Sequence, residues 1–275
     1  MSNLPGKSTI TLDLPAWIEY ARVHVRQAYM YRFNVVVAFL LTGLTIYLLT
    51  VVWRSAYGDQ RVVDGIALEQ ILVYLTIANL QVRFLSQEVD EDIRDRIREG
   101  QIAFDLNRPA AYPGQLMAGA VGDMIGALPF LAVAIPVAFI AGELRPPDSP
   151  GAGLAYLASL GLAWIIAVQL NLVIGLTAFW TLEMTGFQMI YRLVANFATG
   201  ALIPLWFMPD AVRAIVQVLP FQAIAFVPVS IYVGAAATGG VLTALGLQLL
   251  WIGVLALGIR WIWSRAFQRV VIQGG

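Results

Sequence analysis

The sequence contains no cysteine and a single histidine, His24, and only 12% of its residues are charged. Without cysteine the chain can form neither a disulfide nor a thiolate nucleophile, and one histidine excludes nearly every transition-metal site. The 17 basic and 17 acidic side chains balance, which argues against a broad attraction for nucleic acid. We therefore expect that the chain is not an enzyme and binds no metal or cofactor itself.

The only lysine, Lys7, lies in a stretch that looks like the end of a phosphate-binding loop, Pro-Gly-Lys-Ser-Thr at residues 5–9. The complete pattern, G-x-x-x-x-G-K-[ST], needs a glycine at position 1, where Met1 stands. Since no second lysine exists, no lysine-based ATP site is expected elsewhere. Any ATP hydrolysis must come from another polypeptide.

Long apolar runs dominate the sequence, in which 59% of the residues are hydrophobic. Six runs are long enough to cross roughly 30 Å of hydrocarbon as helices, at about 1.5 Å per residue. They predict an all-α integral membrane protein with six transmembrane helices in a single domain, 1–275. The predicted spans are residues 33–53, 67–85, 114–142, 153–181, 184–207 and 239–263.

Two other segments are rich in apolar residues but do not fit a span. Residues 12–29 place apolar side chains at helical spacing opposite Glu19, Arg22 and Arg26, which predicts an N-terminal interfacial helix. An ordinary helix facing water is the alternative. Residues 208–238 contain three prolines, and we expect an outer re-entrant helical hairpin before the last span.

The arginines indicate the orientation of these spans. With six spans both termini are cytoplasmic, and thirteen basic residues lie inside against four outside. A seventh span through residues 208–238 would export Arg260, Arg265 and Arg269, against the positive-inside rule. Six spans are therefore the better prediction.

The loop between the second and third spans is the most charged part of the chain, with twelve charged residues among the 26 of 83–108. Oppositely charged residues four apart favour a short helix, which Gly100 would end. The pairs are Asp90 with Arg94 and Asp92 with Arg96. A thin apolar stripe along this helix, Val89, Ile93 and Ile97, favours docking to a soluble partner, and a solvated loop is the alternative.

Few ionisable residues lie inside the predicted spans. Asp123 and Arg192 are at similar depths and could form an ion pair, or they could belong to a transport path. Gly122 and Gly126 would permit close helix approach. Amide side chains could line the same path or form hydrogen bonds between helices: Asn79, Gln169, Asn171 and Asn196.

The whole layout resembles the permease subunits of type-2 ABC exporters, the ABC-2-type permease family. Two stretches carry the resemblance beyond the layout. REGQIAFDLNRP, from Arg98 to Pro109, is similar to a family pattern of basic residue, Gly, Ile, Leu and Arg-Pro. PLWFMPD, from Pro204 to Asp210, followed by LPFQ at 219–222 and residues 228–234, resembles the family's outer hairpin.

The resemblance implies a transmembrane permease subunit of an ATP-binding-cassette exporter in a prokaryotic plasma (inner) membrane. Two separate ATPase subunits, which bind ATP and Mg, would drive it, and the transport path would form at a dimer with a second permease, identical or paralogous, surrounded by membrane lipid. Residues 87–108 would contain the coupling helix that contacts the ATPase. The residues expected to act in coupling are Glu88, Asp92, Arg94, Arg96, Arg98, Gly100 and Arg108.

Two other functions remain open from the residues alone. An ion-coupled secondary carrier or channel would need midplane acids or a ring of charges, for which the sequence offers only Asp123 and Arg192. A membrane scaffold would recruit a soluble partner through the charged loop and transport nothing. The sequence does not define the cargo, and a hydrophobic or amphipathic molecule is the only expectation it supports.

Overall fold

The computed structural model of the chain describes residues 14–30, 32–86, 89–106, 112–147, 149–181, 185–235 and 240–273. Lys7, Glu88 and Arg108 lie outside these ranges. The α-helices in the described part are α1 (Leu14–Met30), α2 (Arg32–Tyr57), α3 (Leu68–Leu85), α4 (Val89–Arg98), α5 (Ile102–Leu106), α6 (Tyr112–Ala127), α7 (Leu131–Ala141), α8 (Pro150–Leu176), α9 (Thr185–Ala198), α10 (Asp210–Val218), α11 (Phe226–Tyr232) and α12 (Gly240–Gln273). A small antiparallel hairpin, β1 (Val62–Val63) and β2 (Ile66–Ala67), joins α2 to α3.

In the part of the chain that the structure describes, four helical stretches are long and apolar enough to cross a membrane: Phe33–Tyr57, Tyr112–Ile140, Pro150–Phe179 and Gly240–Ala266. They correspond to the first, third, fourth and sixth predicted spans. A fifth is added if the bent pair Asp210–Val218 and Pro220–Tyr232 counts as one span. The chain is thus an all-α membrane protein with four or five candidate spans, and the count of six stays a prediction.

The fifth predicted span, 184–207, differs most from the structure. Its helix, α9, has 14 residues and ends at Ala198, because Gly200 takes a left-handed φ of 80° and the chain turns there. At about 1.5 Å per residue, α9 is roughly 21 Å long and too short to cross the hydrocarbon by itself. The last helix is longer than predicted and continues to Gln273.

The predicted hairpin at 208–238 contains the expected break. Helices α10 and α11 meet at an angle of 75°, with Pro220 opening the 3-10 turn between them. The α11 backbone lies inside the protein, where Phe226 and Val227 pack with α3 residues such as Tyr74. Residues 236–238 of the predicted hairpin are outside the described part of the chain.

Helix α1 lies along α6, which contains the predicted small-residue step. A Cβ atom at Gly122 would collide with the backbone carbonyl of Ala21, so this glycine allows the two helices to touch. The close approach predicted for Gly122 is confirmed. It places the polar side chains of α1 against α6 and the charged segment described next.

Candidate functional site

The charged segment, which we define as residues 89–106, consists of α4, a turn and α5. Gly100 has a φ of 71°, and its N–H donates to the carbonyl of Ile97, so it ends α4 as predicted. A left-handed conformation of this kind favours glycine. The turn reverses the chain so that the Asp105 carboxylate on α5 accepts from Arg96 Nη1 on α4, at 2.8 Å.

Two residues of the apolar stripe of α4, Val89 and Ile93, are buried within the chain and Ile97 is partly buried, which corrects the prediction that the stripe is exposed for a partner. Ile93 has 0% of its surface exposed and packs with Val168 and Leu172 of α8. Gly175 makes this contact possible, since a Cβ there would lie 2.5 Å from Ile93 Cδ1 and 3.0 Å from the Cα of Asp90. Helix α4 is therefore fixed to a long membrane helix.

The charged segment has its longest run of exposed residues at the turn between α4 and α5. We define this tip as residues 98–104, in which Ile102 is buried. Arg98, Glu99, Gly100 and Gln101 are exposed, and the Phe104 ring has 73% of its surface exposed. Phe104 was not among the residues predicted from the sequence. The sequence feature that could have identified Phe104 is an aromatic residue in a polar stretch, shortly after the glycine that ends the helix.

Helix α4 is also bonded to α9. Arg192 Nη2 lies 2.5 Å from a Glu91 carboxylate oxygen and 3.5 Å from Asp90 Oδ2. Beside it, Gln188 donates to Asp90 Oδ2 at 3.1 Å and accepts from Arg94 Nη1 at 2.7 Å. Asp90 is 1% exposed, and this burial raises the pKa of its carboxyl, an effect that Arg192 opposes.

The predicted pair between Asp123 and Arg192 is not formed. Arg192 pairs with the α4 carboxylates, whereas Asp123 lies 3.0 Å from Nδ1 of His24 on α1. Similar depth along two helices does not place two side chains on facing surfaces, and here they face different neighbours. The helical spacing also predicted a pair between Asp90 and Arg94, but Asp90 pairs with Arg192 instead.

The Asp123 contact belongs to a polar cluster between α1, α6 and the charged segment. Tyr20 donates to Gln115 at 3.1 Å, and Gln115 in turn donates to the backbone carbonyl of Asp105 at 3.0 Å. The hydrogen bond to Asp123 raises the pKa of His24, while burial lowers it. The cluster connects the N-terminal helix to α5.

A polar cleft lies between α2, α3, α8 and α9 and encloses about 370 Å³. Four of the residues predicted for a transport path lie on its wall, although they come from three helices: Asn79, Asn171, Arg192 and Asn196. Asp123 and Gln169 are not among the residues that line it. Gln169 instead donates to the carbonyl of Ile252 on α12 at 3.2 Å, which is the interhelical role given above as the alternative.

Arg83, near the end of α3, also lines the cleft and was missing from the predicted site. Its Nε atom is buried and has no hydrogen-bond partner among the described residues. Within the described ranges, no group of three or more His, Asp or Glu side chains could hold a metal ion.

The tip, the link from α4 to α9 and the cleft thus form one connected unit. Gln188 and Arg192 lie one helical turn apart on α9, so the residue that lines the cleft belongs to the same face that binds α4. A displacement of α4 would be transmitted to the wall of the cleft through these contacts. This arrangement can couple an event at the tip to a change inside the membrane helices.

Comparison with known proteins agrees with this architecture. The family described as "ABC-2 family transporter protein" matches residues 34–274, a range that contains the charged segment and the cleft and leaves out α1. No curated protein matches the chain. The family resemblance inferred from the residues is confirmed. The chain therefore belongs to the ABC-2 family of transporter proteins and is a multi-pass membrane permease.

Proposed function

We propose that this chain is the permease subunit of an ABC exporter in a prokaryotic plasma membrane, with both termini in the cytoplasm. Two separate ATPase subunits drive the complex, and the tip is the surface through which this chain contacts an ATPase. The chain forms a dimer with a second permease, identical or paralogous, and cargo passes through the cleft of this dimer. The observation that carries the proposal is the polar link from α4 to α9, which connects an exposed charged tip to the wall of an intramembrane cleft.

The tip has the chemistry of a protein-docking surface. Arg98 and the Phe104 ring are exposed within one short segment, and arginine and aromatic side chains often supply most of the binding energy at interfaces. The segment behind the tip is held firmly, because Ile93 is buried against α8 and Arg96 is bonded to Asp105. A push on the tip would move α4 as a body.

The second permease is assigned to the side of α2 and α9. Both helices contribute side chains to the cleft, among them Thr42 and Arg192. Both also expose apolar side chains that this chain does not cover, such as Leu41 on α2 and Met189 on α9. A partner packed there would complete the path and shield it from lipid.

The test uses the tagged chain and the ATPase that copurifies with it. Arg98→Glu combined with Phe104→Ala is expected to weaken ATPase binding about tenfold or more, since interface residues of this type often contribute about 2 kcal/mol. Phe33→Ala is the matched control, because Phe33 is 75% exposed but lies outside the tip. Binding is measured by titrating the purified ATPase onto the reconstituted chain.

The outcome also separates the alternative functions. Unchanged ATPase binding by the tip variant would remove the docking assignment. Transport by the purified chain without any ATPase would favour an ion-coupled carrier, and an ATPase-free complex with another soluble protein would favour a scaffold.

A further inference from the structure

The cleft contains one cation for which the described residues supply no counter-charge. Arg192 is compensated by Asp90 and Glu91 on α4. Arg83 has no carboxylate partner within the described residues, and none of the described side chains that line the cleft is acidic. An uncompensated guanidinium beside membrane helices is costly, which makes it a candidate for binding a ligand.

The other groups on the wall fit an oxygen-rich anion. Asn196 and Asn171 supply amide groups, and Tyr191 supplies a hydroxyl. Asn171 keeps one amide hydrogen beyond its bond to the Ala167 carbonyl, whereas Asn79 already donates to the carbonyls of Leu75 and Ala201. A guanidinium binds phosphate or carboxylate through two parallel hydrogen bonds, which a point charge cannot do. Neutral donors around one such cation favour a single anionic group over a free metal ion.

The cleft also has an apolar side. Val82, Leu85 and Ile224 line it next to the polar residues. A volume of about 370 Å³ lies within the range of small-molecule sites and can hold a headgroup with the first part of a chain. Polar and apolar walls in one cavity fit a molecule that has both characters.

We propose that the cleft binds an amphiphile through its phosphate or carboxylate group, with Arg83 as the counter-charge and the amides of α8 and α9 as additional donors. The binding site itself does not depend on the proposed exporter function. Only the role of the bound amphiphile as cargo rests on it. The shared chemistry has two sources, a membrane lipid headgroup and a small anionic amphiphile that enters the cleft. The experiment separates them.

The experiment measures binding to the purified full-length chain without ATPase. Dodecyl phosphate, dodecylphosphocholine, dodecyltrimethylammonium and inorganic phosphate are titrated in a neutral detergent, and affinity is read from the thermal unfolding midpoint. In parallel, the chain is placed in phosphatidylcholine nanodiscs to which phosphatidylglycerol is added. If the source is a small amphiphile, dodecyl phosphate is expected to bind most tightly of the soluble probes. If the source is a membrane lipid, only phosphatidylglycerol is expected to bind. Either result supports the site.

Variants assign the binding to the cleft. Arg83→Gln is expected to weaken binding of the anionic probe about tenfold or more, since a charge-assisted bidentate pair is lost. The matched control is Arg260→Gln, which removes an exposed arginine near the end of α12 and outside the cleft. Asn196→Asp adds a negative charge to the wall of the cleft while Arg83 is kept, and it is also expected to weaken binding. Its control is Asn34→Asp, exposed on α2 and outside the cleft, which is expected to leave binding unchanged.

Three results would overturn the proposal: equal binding by the wild type and both cleft variants, tighter binding of dodecyltrimethylammonium than of either anionic amphiphile, or equal loss in Arg260→Gln. Loss of folding in Arg83→Gln would leave Asn196→Asp as the deciding variant. Because no ATPase is present, these results are independent of whether an ATPase docks on the tip. A chain that binds the anion but recruits no ATPase would contradict the exporter proposal alone.

Discussion

Arg192 of α9 forms an ion pair with Asp90 of α4, and 3.5 Å separates its guanidinium from the carboxylate. The acid is almost completely buried and the arginine is half-exposed toward the cleft. The pair therefore lies between the segment that protrudes from the chain and the cavity inside it. It is the point at which we expect a movement of α4 to reach the transport path.

Removal of the cation should disrupt this connection. Arg192→Met leaves the buried Asp90 carboxylate with its hydrogen bond from Gln188 but without its charge partner, and a buried charge that loses its partner costs about 1–3 kcal/mol. We expect the ATPase activity of the reconstituted complex to lose its response to cargo, with a reduction of about tenfold in coupled turnover. The measurement is ATP hydrolysis by the copurified complex in lipid, with and without dodecyl phosphate.

The charge swap Asp90→Arg with Arg192→Asp should restore part of the coupling, since it re-forms an ion pair across the same helices. It is measured at saturating dodecyl phosphate, because a carboxylate at position 192 lines the cleft and is expected to weaken binding of the anion. Arg54→Met is the control. Arg54 forms an exposed ion pair with Glu143, with 3.2 Å between the charged groups, and this pair does not involve α4. Equal effects of Arg54→Met and Arg192→Met, or no recovery in the swap, would show that the pair between α4 and α9 does not transmit the movement.

The packing of α4 on α8 gives a second prediction. In Gly175→Ala the new Cβ would meet the Asp90 backbone at 3.0 Å, so α4 must shift outward, which is expected to cost about 1–3 kcal/mol. Amide hydrogen exchange should become faster in residues 89–98, and ATPase binding should weaken. Gly161→Ala in the same helix is the matched control, because a Cβ at Gly161 has nothing within 4 Å. Equal protection of residues 89–98 in both variants would refute this account of the contact.

Much of the fold follows from local patterns in the sequence. Apolar runs predicted four segments that coincide with helices long and apolar enough to cross a membrane, and Gly100 was correctly predicted to end α4. The length of α9 could not be obtained in the same way. Residues 199–207 are as apolar as a helix interior, but Gly200 turns left-handed where the Tyr74 hydroxyl donates to its carbonyl at 3.0 Å, which is a contact between distant parts of the chain.

The candidate site was predicted by residue type but not by partner. Polarity within apolar runs selected Asn79, Asn171, Arg192 and Asn196, and all four line one cleft. Depth along a helix says nothing about the direction in which a side chain points. The pairing of Asp123 with Arg192 therefore failed. The burial of the α4 stripe also depends on a non-local fact, the missing side chain at Gly175.

The bent region between α9 and α11 depends on one arginine. Arg213 donates from Nε to the carbonyl of Leu205 at 2.9 Å and from Nη2 to those of Trp206 at 3.0 Å and Met208 at 2.8 Å. Lysine cannot reproduce this fork of donors. Arg213→Lys should lower the free energy of unfolding by about 1–3 kcal/mol, while Arg61→Lys in the exposed loop after α2 should leave it unchanged. Thermal unfolding in detergent measures both, and equal midpoints would contradict the role of the fork.

The contact between His24 and Asp123 predicts a pH dependence of the attachment of α1. The hydrogen bond to Asp123 raises the pKa of His24 above its ordinary value of 6.5, with a further increase from Asp92 and opposing effects of burial and Arg96. A raised pKa in the folded state means that the folded chain binds the proton more tightly than the unfolded chain. The stabilisation is therefore complete below pH 6.5 and is lost as the pH rises through the raised pKa.

We expect hydrogen exchange in α1 to become faster, and the thermal midpoint to fall, as the pH is raised from 6 to about 9. The effect should be about 1 kcal/mol or less, because the Asp123 side chain is 36% exposed and solvent screens the pair. His24→Gln keeps a hydrogen-bonding side chain but cannot titrate, so its α1 exchange should show no such dependence once the intrinsic effect of pH on exchange is subtracted. Asp123→Asn should lower the pKa of His24 and move the transition to lower pH. A wild-type transition that persists unchanged in His24→Gln would assign the pH dependence to another group.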